Sequence, residues 1–118
     1  MPNNITKMLK DNYKKIAIIE KIINLTMMVQ ENEIKIPLNL AFTPKRILVH
    51  IWINGTAIGK EDYADSKFNT KITFGIYSGG YDYINLDIKS FDENELILNR
   101  NGGRSMNIDI YFEIIAIE

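Results

Sequence analysis

Six tyrosines, one tryptophan and one histidine are the side chains of this sequence best suited to recognition chemistry. Tyr77, Tyr81 and Tyr83 flank the Gly79-Gly80 pair, Tyr63 lies inside the acidic run Glu61-Asp62-Tyr63-Ala64-Asp65, and Trp52 precedes Asn54-Gly55. A flat apolar ring with a polar handle suits stacking on a sugar or contact with another protein. Cross-strand pairing inside a sheet is the competing use of the same rings. Tyr63, Tyr77, Tyr81 and Tyr83 are therefore the candidate ligand-binding set. His50 stands alone, so no histidine metal cluster or His–His relay is available, and its apolar surroundings favour a packed or hydrogen-bonded role.

Other chemistries lack their parts. The chain has no cysteine, which removes disulfides, zinc ribbons, iron–sulfur centres and thiol catalysis. The acidic run of residues 61–65 lacks the glycine and ligand spacing of a calcium loop, and no metal site is expected. Neither a Gly-x-Ser-x-Gly elbow, nor a phosphate loop, nor a dinucleotide fingerprint occurs, so no cofactor and no enzymatic activity are expected. A net charge of −1 provides no basic field for a phosphate backbone, and nucleic acid is not an expected partner. The stretch from Ile16 to Val29 is interrupted by Glu20, Lys21 and Asn24, which argues against membrane insertion, and the N-terminus has no signal-peptide pattern.

Position matters more than composition for the elements that hold these residues. Residues 1–30 carry five lysines against Asp11 and Glu20, net +3, whereas residues 31–118 carry nine Lys/Arg against thirteen Asp/Glu, net −4. The hydrophobic period changes at the same place, giving an N-terminal segment 1–30 and a domain 31–118. In the first, Leu9, Ile16 and Ile23 fall at heptad a positions, with Ile5, Asn12, Ile19 and Thr26 at d. An α-helix over about residues 4–26 would present Ile5, Leu9, Asn12, Ile16, Ile19 and Ile23 as an oligomer seam. Isoleucine at both a and d leans towards trimers. Two other readings stand beside this one. Ile18, Ile22 and Met27 widen the stripe as in a helix packed on its own domain, and the isoleucine content allows residues 15–29 to be partly strand.

After residue 32 the period is two. Glu33–Ile36 alternates and stops at Pro37, which marks an edge strand or a bend, with a short resumption over Leu38–Phe42. Ile47, Val49, Ile51 and Ile53 form one face of the next strand and Leu48, His50 and Trp52 the other, so the strand reads as well buried. Asn54-Gly55 predicts a type I′ hairpin returning at residues 56–58, followed by a polar loop over 59–67. Strands follow at 71–77, 81–88 and 95–99, a tight turn is predicted at 99–103, and Met106 to Ala116 alternates to the end. Seven or eight short strands with these turns indicate a mainly β protein, an antiparallel β-sandwich preceded by the helix.

The segment Leu40-Ala41-Phe42-Thr43-Pro44-Lys45-Arg46-Ile47-Leu48-Val49, with the closing Ile108-Asp109-Ile110-Tyr111-Phe112-Glu113-Ile114-Ile115-Ala116-Ile117, resembles the C-terminal β-sandwich tip of phage tail-fibre and receptor-binding (baseplate) proteins. The resemblance covers about residues 33–118. It implies a virion component, a homotrimer on a helical bundle, that contacts a host cell-surface saccharide or other virion proteins. It carries no catalytic residues. The residue usage, 22 Ile and 13 Asn with 11 Lys against 3 Arg, agrees with A/T-rich coding of the kind found in low-G+C bacteria and their phages. A free-standing carbohydrate-binding module is the alternative expectation.

Overall fold

The computed structural model describes residues 15–53, 61–77 and 81–118. Its elements run β1 (Ile16–Asn24), a one-turn helix α1 (Leu25–Met28), β2 (Glu33–Pro37), β3 (Arg46–Ile53), β4 (Glu61–Asp65), β5 (Lys71–Tyr77), β6 (Tyr81–Phe91), β7 (Glu95–Gly102) and β8 (Asp109–Ile117). They form two antiparallel four-stranded sheets, ordered β1-β8-β3-β4 and β2-β7-β6-β5. The inner faces of both meet in one core that includes Ile47, Val49, Ile51, Ile72, Leu86, Leu98, Phe112 and Ile114. Burying each such side chain contributes on the order of 1.5–3 kcal/mol.

The N-terminal helix is corrected by β1. Residues 16–24 pair with β8 over nine register positions, from Ile16 opposite Ile117 to Asn24 opposite Asp109. The physical reason is the density of isoleucine. Ile16, Ile19 and Ile23 satisfy a heptad, but the same run also alternates, placing Ala17, Ile19 and Ile23 against the core and Ile18 and Ile22 outside. A long neighbouring strand that pairs with all nine residues decides between the two periods. Two members of the expected seam, Ile19 and Ile23, are therefore packed within their own chain. Ile5, Leu9 and Asn12 lie outside the described residues.

The change of period near residue 30 marks the crossing between sheets. Asn24 caps α1 by accepting from the Thr26 amide at 3.0 Å. Arg100 then ties the crossing to β7: its Nε donates to the Glu31 carbonyl at 2.7 Å, and its other nitrogens donate to the carbonyls of Val29 and Gly102. β2 is an edge strand ending on Pro37, as its proline requires.

Three further expectations change. The segment resumed after Pro37 is irregular, although Leu38 is buried. Glu61–Asp65, read as loop, is the edge strand β4, held by register with Leu48–Trp52. The predicted turn at residues 99–103 is not a hairpin. β7 continues through Gly102, opposite Ile84, and the chain then crosses to the first sheet, where β8 inserts between β1 and β3. The Asn54-Gly55 turn and its return strand at 56–58 lie outside the described residues.

Candidate functional site

The outer face of the first sheet collects most of the recognition chemistry. Register alone places its residues in three rows across β1, β8, β3 and β4: Ile18–Ile115–Leu48–Asp65, then Glu20–Glu113–His50–Tyr63, then Ile22–Tyr111–Trp52–Glu61. The grid is aliphatic at one end, charged along the middle and aromatic at the other. Ile18 is 42% exposed and Ile22 is 56% exposed, unusual for a solvated sheet face.

The rings are stacked across strands. His50 lies 4.3 Å from Tyr63, with planes 5° apart, and 4.8 Å from Trp52. Trp52 in turn lies 5.5 Å from Tyr111. The Trp52 pairs fall in the range favoured for offset stacking, and the His50–Tyr63 pair is slightly closer. The imidazole is thus enclosed by two larger rings, and its Nε2 meets Glu61 Oε2 at 2.8 Å. Tyr63 sits on edge strand β4 and remains 57% exposed despite its contact with His50, which leaves it a free face. Its hydroxyl donates to Glu61 at 3.4 Å. Partial desolvation, with the Glu61 and Glu113 carboxylates beside it, holds this phenol above the usual tyrosine range, so it stays a protonated donor.

A cavity of about 540 Å³ opens beside the middle row, lined by the aliphatic floor of Ile18, Leu48 and Ile115 and the polar groups of His50, Tyr63, Asp65, Asn69 and Glu113. Asp65 is already engaged: Arg46 donates to it through Nε at 3.0 Å and Nη2 at 2.5 Å, and the Lys67 amide adds a third bond. The guanidinium holds the Asp65 carboxyl below the usual aspartate range. Arg46 also stands 5.1 Å from the ring of Phe68, an exposed aromatic at the rim. Glu113 differs from these carboxylates. It has no hydrogen-bond or ion-pair partner among the described residues, and the residue opposite it on β1 is another carboxylate, Glu20.

No family model, curated protein or solved structure matches the chain. Among the described residues, no group of three or more His, Asp or Glu side chains is placed to hold a metal ion, and no helix is long and apolar enough to cross a membrane.

The four tyrosines singled out in the sequence divide between the two faces. Tyr63 belongs to the grid just described. Tyr83 is exposed on β6 beside the buried Ile84, which places it on the outer face of the second sheet, on the opposite side of the sandwich. Tyr77 and Tyr81 are register partners at the end of the β5–β6 pair. The sequence reading did not select Trp52, His50, Tyr111 or Glu113 as a site. Alternation within β3 and β8 marks each of them as facing away from the core, but nothing local to either strand says that β8 lies beside β3.

Proposed function

We propose that this protein is a non-enzymatic recognition component of a phage or prophage virion, a tail-fibre tip, baseplate or decoration subunit, and that it engages a host-surface saccharide through the outer face of its first sheet. The observation that carries the reading is the grid itself: an aliphatic floor, an open tyrosine face and carboxylates arranged around one cavity. Apolar C–H faces and rigid hydroxyl acceptors are what a pyranose needs. The tail-tip resemblance of residues 33–118 supplies the virion context, and a free-standing carbohydrate-binding module remains the alternative. Detection of the chain in purified particles separates the two.

Glycan-array binding by the full chain tests the site. Tyr63→Ala should abolish binding and Tyr83→Ala should leave it intact. The reverse pattern would move recognition to the second sheet, and an absence of glycan binding would remove the saccharide reading altogether.

The homotrimer belongs to the same proposal, with its support now in Ile22, exposed in the third row and outside the cavity, rather than in a helical seam. Lys21 bears on how copies would meet. It occupies a core-parity position on the free edge of β1 and is exposed, an inward-pointing charge of the kind that discourages edge-to-edge pairing. Assembly would therefore use sheet faces rather than strand edges. Sedimentation of the full chain at tens of micromolar decides it, and a monomer there ends the oligomer proposal.

A further inference from the structure

We infer that the ligand of the first-sheet cavity carries a cationic amine, and that an amino sugar with a free ammonium group, held by Glu113, is the class of saccharide it takes. This inference rests on the saccharide reading above and narrows it. Its basis is the charge balance of the grid. Five carboxylates lie on this face: Glu20, Glu61, Glu113, Asp65 and Asp109, the last accepting from the Asn24 side chain at 3.0 Å. Arg46 neutralises Asp65 in a two-point contact, and Glu61 is engaged by His50 and Tyr63. Glu20 and Glu113 remain, directly opposite each other on adjacent strands with no cation between them.

Like charges placed this way destabilise a sheet. Glu113 is half-buried at the centre of the face, with the aliphatic positions of the first row on one side and Tyr111 on the other. Its carboxylate also lines the cavity that Tyr63, Ile18, Leu48 and Ile115 enclose. A neutral sugar would leave that charge uncompensated while covering it from water, which is costly. An ammonium group at the same place would form a charge-assisted hydrogen bond and relieve the repulsion from Glu20, while the sugar's C–H face meets the aliphatic floor. The other face of the sandwich also holds a carboxylate oxygen, on Asp87, without a partner among the described residues, but there Lys71 and Arg100 line the same cavity. Its polar cavity is lined by Lys71, Thr73, Asn85, Asp87, Asn99 and Arg100, a set that holds cations of its own.

The test uses the full-length protein and two probes with the same backbone that differ at C2, ammonium in one and uncharged acetamido in the other: a β-1,4-linked glucosamine tetramer and its fully N-acetylated counterpart. Trp52, the only tryptophan of the chain, sits in the grid and reports titration by fluorescence, with amide spectra locating the shifts. The amine form should bind on the order of tenfold more tightly than the acetylated form, as expected for one charge-assisted bond. Glu113→Gln should remove that preference, while Glu93→Gln, on the remote β6–β7 turn, should keep it. Amide spectra of both variants establish that they are folded. Equal binding of the two probes, or a preference that survives Glu113→Gln, would overturn the amine inference and leave the saccharide reading standing. Failure of both probes to bind, alongside glycan-array binding of neutral sugars, would overturn it as well. Failure of every glycan would remove both.

Discussion

Glu20 and Glu113 give a prediction that reaches from register to energetics. In an antiparallel pair, opposed residues have Cβ atoms about 4.5–5.5 Å apart, so two extended carboxylates can spread to about 7 Å. Two unit charges at that distance interact by about 0.6 kcal/mol in bulk water and about 2.4 kcal/mol at an effective dielectric of 20. Screening at physiological ionic strength, where the Debye length is about 8 Å, reduces either figure to roughly 40%. The repulsion is therefore about 0.2–1 kcal/mol. Glu113→Gln should stabilise the protein by that amount at physiological ionic strength, by more at low salt and by less at 1 M salt. Urea unfolding followed by Trp52 emission measures it. The stronger test is the double-mutant cycle: Glu20→Gln should stabilise the parent chain but add little once Glu113 is neutral. Additive effects at low salt would refute the reasoning, because they would mean that Glu20 does not face Glu113. The same result would remove the strand assignment of residues 16–24, since a helix there would not place Glu20 opposite β8.

Three other substitutions probe the scaffold. Gly102 has φ +76°, and a Cβ there would meet the Tyr83 carbonyl oxygen at 2.4 Å, so Gly102→Ala should lower unfolding stability by about 2 kcal/mol or more, with Gly103→Ala, whose nearest contacts are at 3.4 Å, costing less. Arg100→Ala strips donors from the carbonyls of Val29, Glu31 and Gly102 and should cost about 2–3 kcal/mol by urea titration. Because Arg46 depresses the folded-state pKa of Asp65, that ion pair stabilises fully above the unfolded aspartate value of about 3.9 and is lost as pH falls through the lower folded value. Asp65→Asn should accordingly lower stability at neutral pH by about 1 kcal/mol, the contact being partly exposed, and flatten the acid limb of the pH–stability curve.

Much of the β framework was legible because burial on one face writes itself as alternation. Ile47, Val49, Ile51 and Ile53 are all buried, as are Ile110, Phe112, Ile114 and Ala116, and β5 occupies the expected residues. Pro37 announced an edge strand for the plain reason that it has no amide to donate. β1 was legible only as one of three readings, because isoleucine at five of its nine positions satisfies periods of two and of three and a half alike, and only the partner strand decides. β4 was hidden by its carboxylates. Glu61, Asp62 and Asp65 are poor strand formers, and they adopt one because His50 and Arg46 wait on β3 and because Asp62 accepts from the Thr73 amide of β5 at 3.0 Å. The site was half legible. Tyr63 was found by type, but its companions come from strands far apart in sequence: Trp52 and Tyr111 meet only because β8 closes the sheet between β1 and β3.

The two outer faces of the sandwich decide whether the exposed isoleucines of the first sheet mean anything. A chain with 22 isoleucines in 118 residues must leave some outside, and composition alone would account for Ile18 and Ile22 if both faces carried such residues equally. They do not. On the second sheet the corresponding rows read Lys71–Asp87–Asn99–Glu33 and Thr73–Asn85–Asn101, polar at each position, and among the described side chains its apolar outward residues are Pro37, a half-buried Ile97 and Tyr83. Both sheets have four antiparallel strands and draw on the same codon-biased residue pool, so each serves as the control for the other. The second is finished in polar side chains, although Asp87 in it keeps one buried oxygen without a hydrogen-bond partner among the described residues. The other places isoleucines, stacked rings and an uncompensated carboxylate where water would otherwise be, an arrangement that lowers the stability of the free chain at Glu20 and Glu113 and is relieved by an occupant that brings apolar surface and positive charge together.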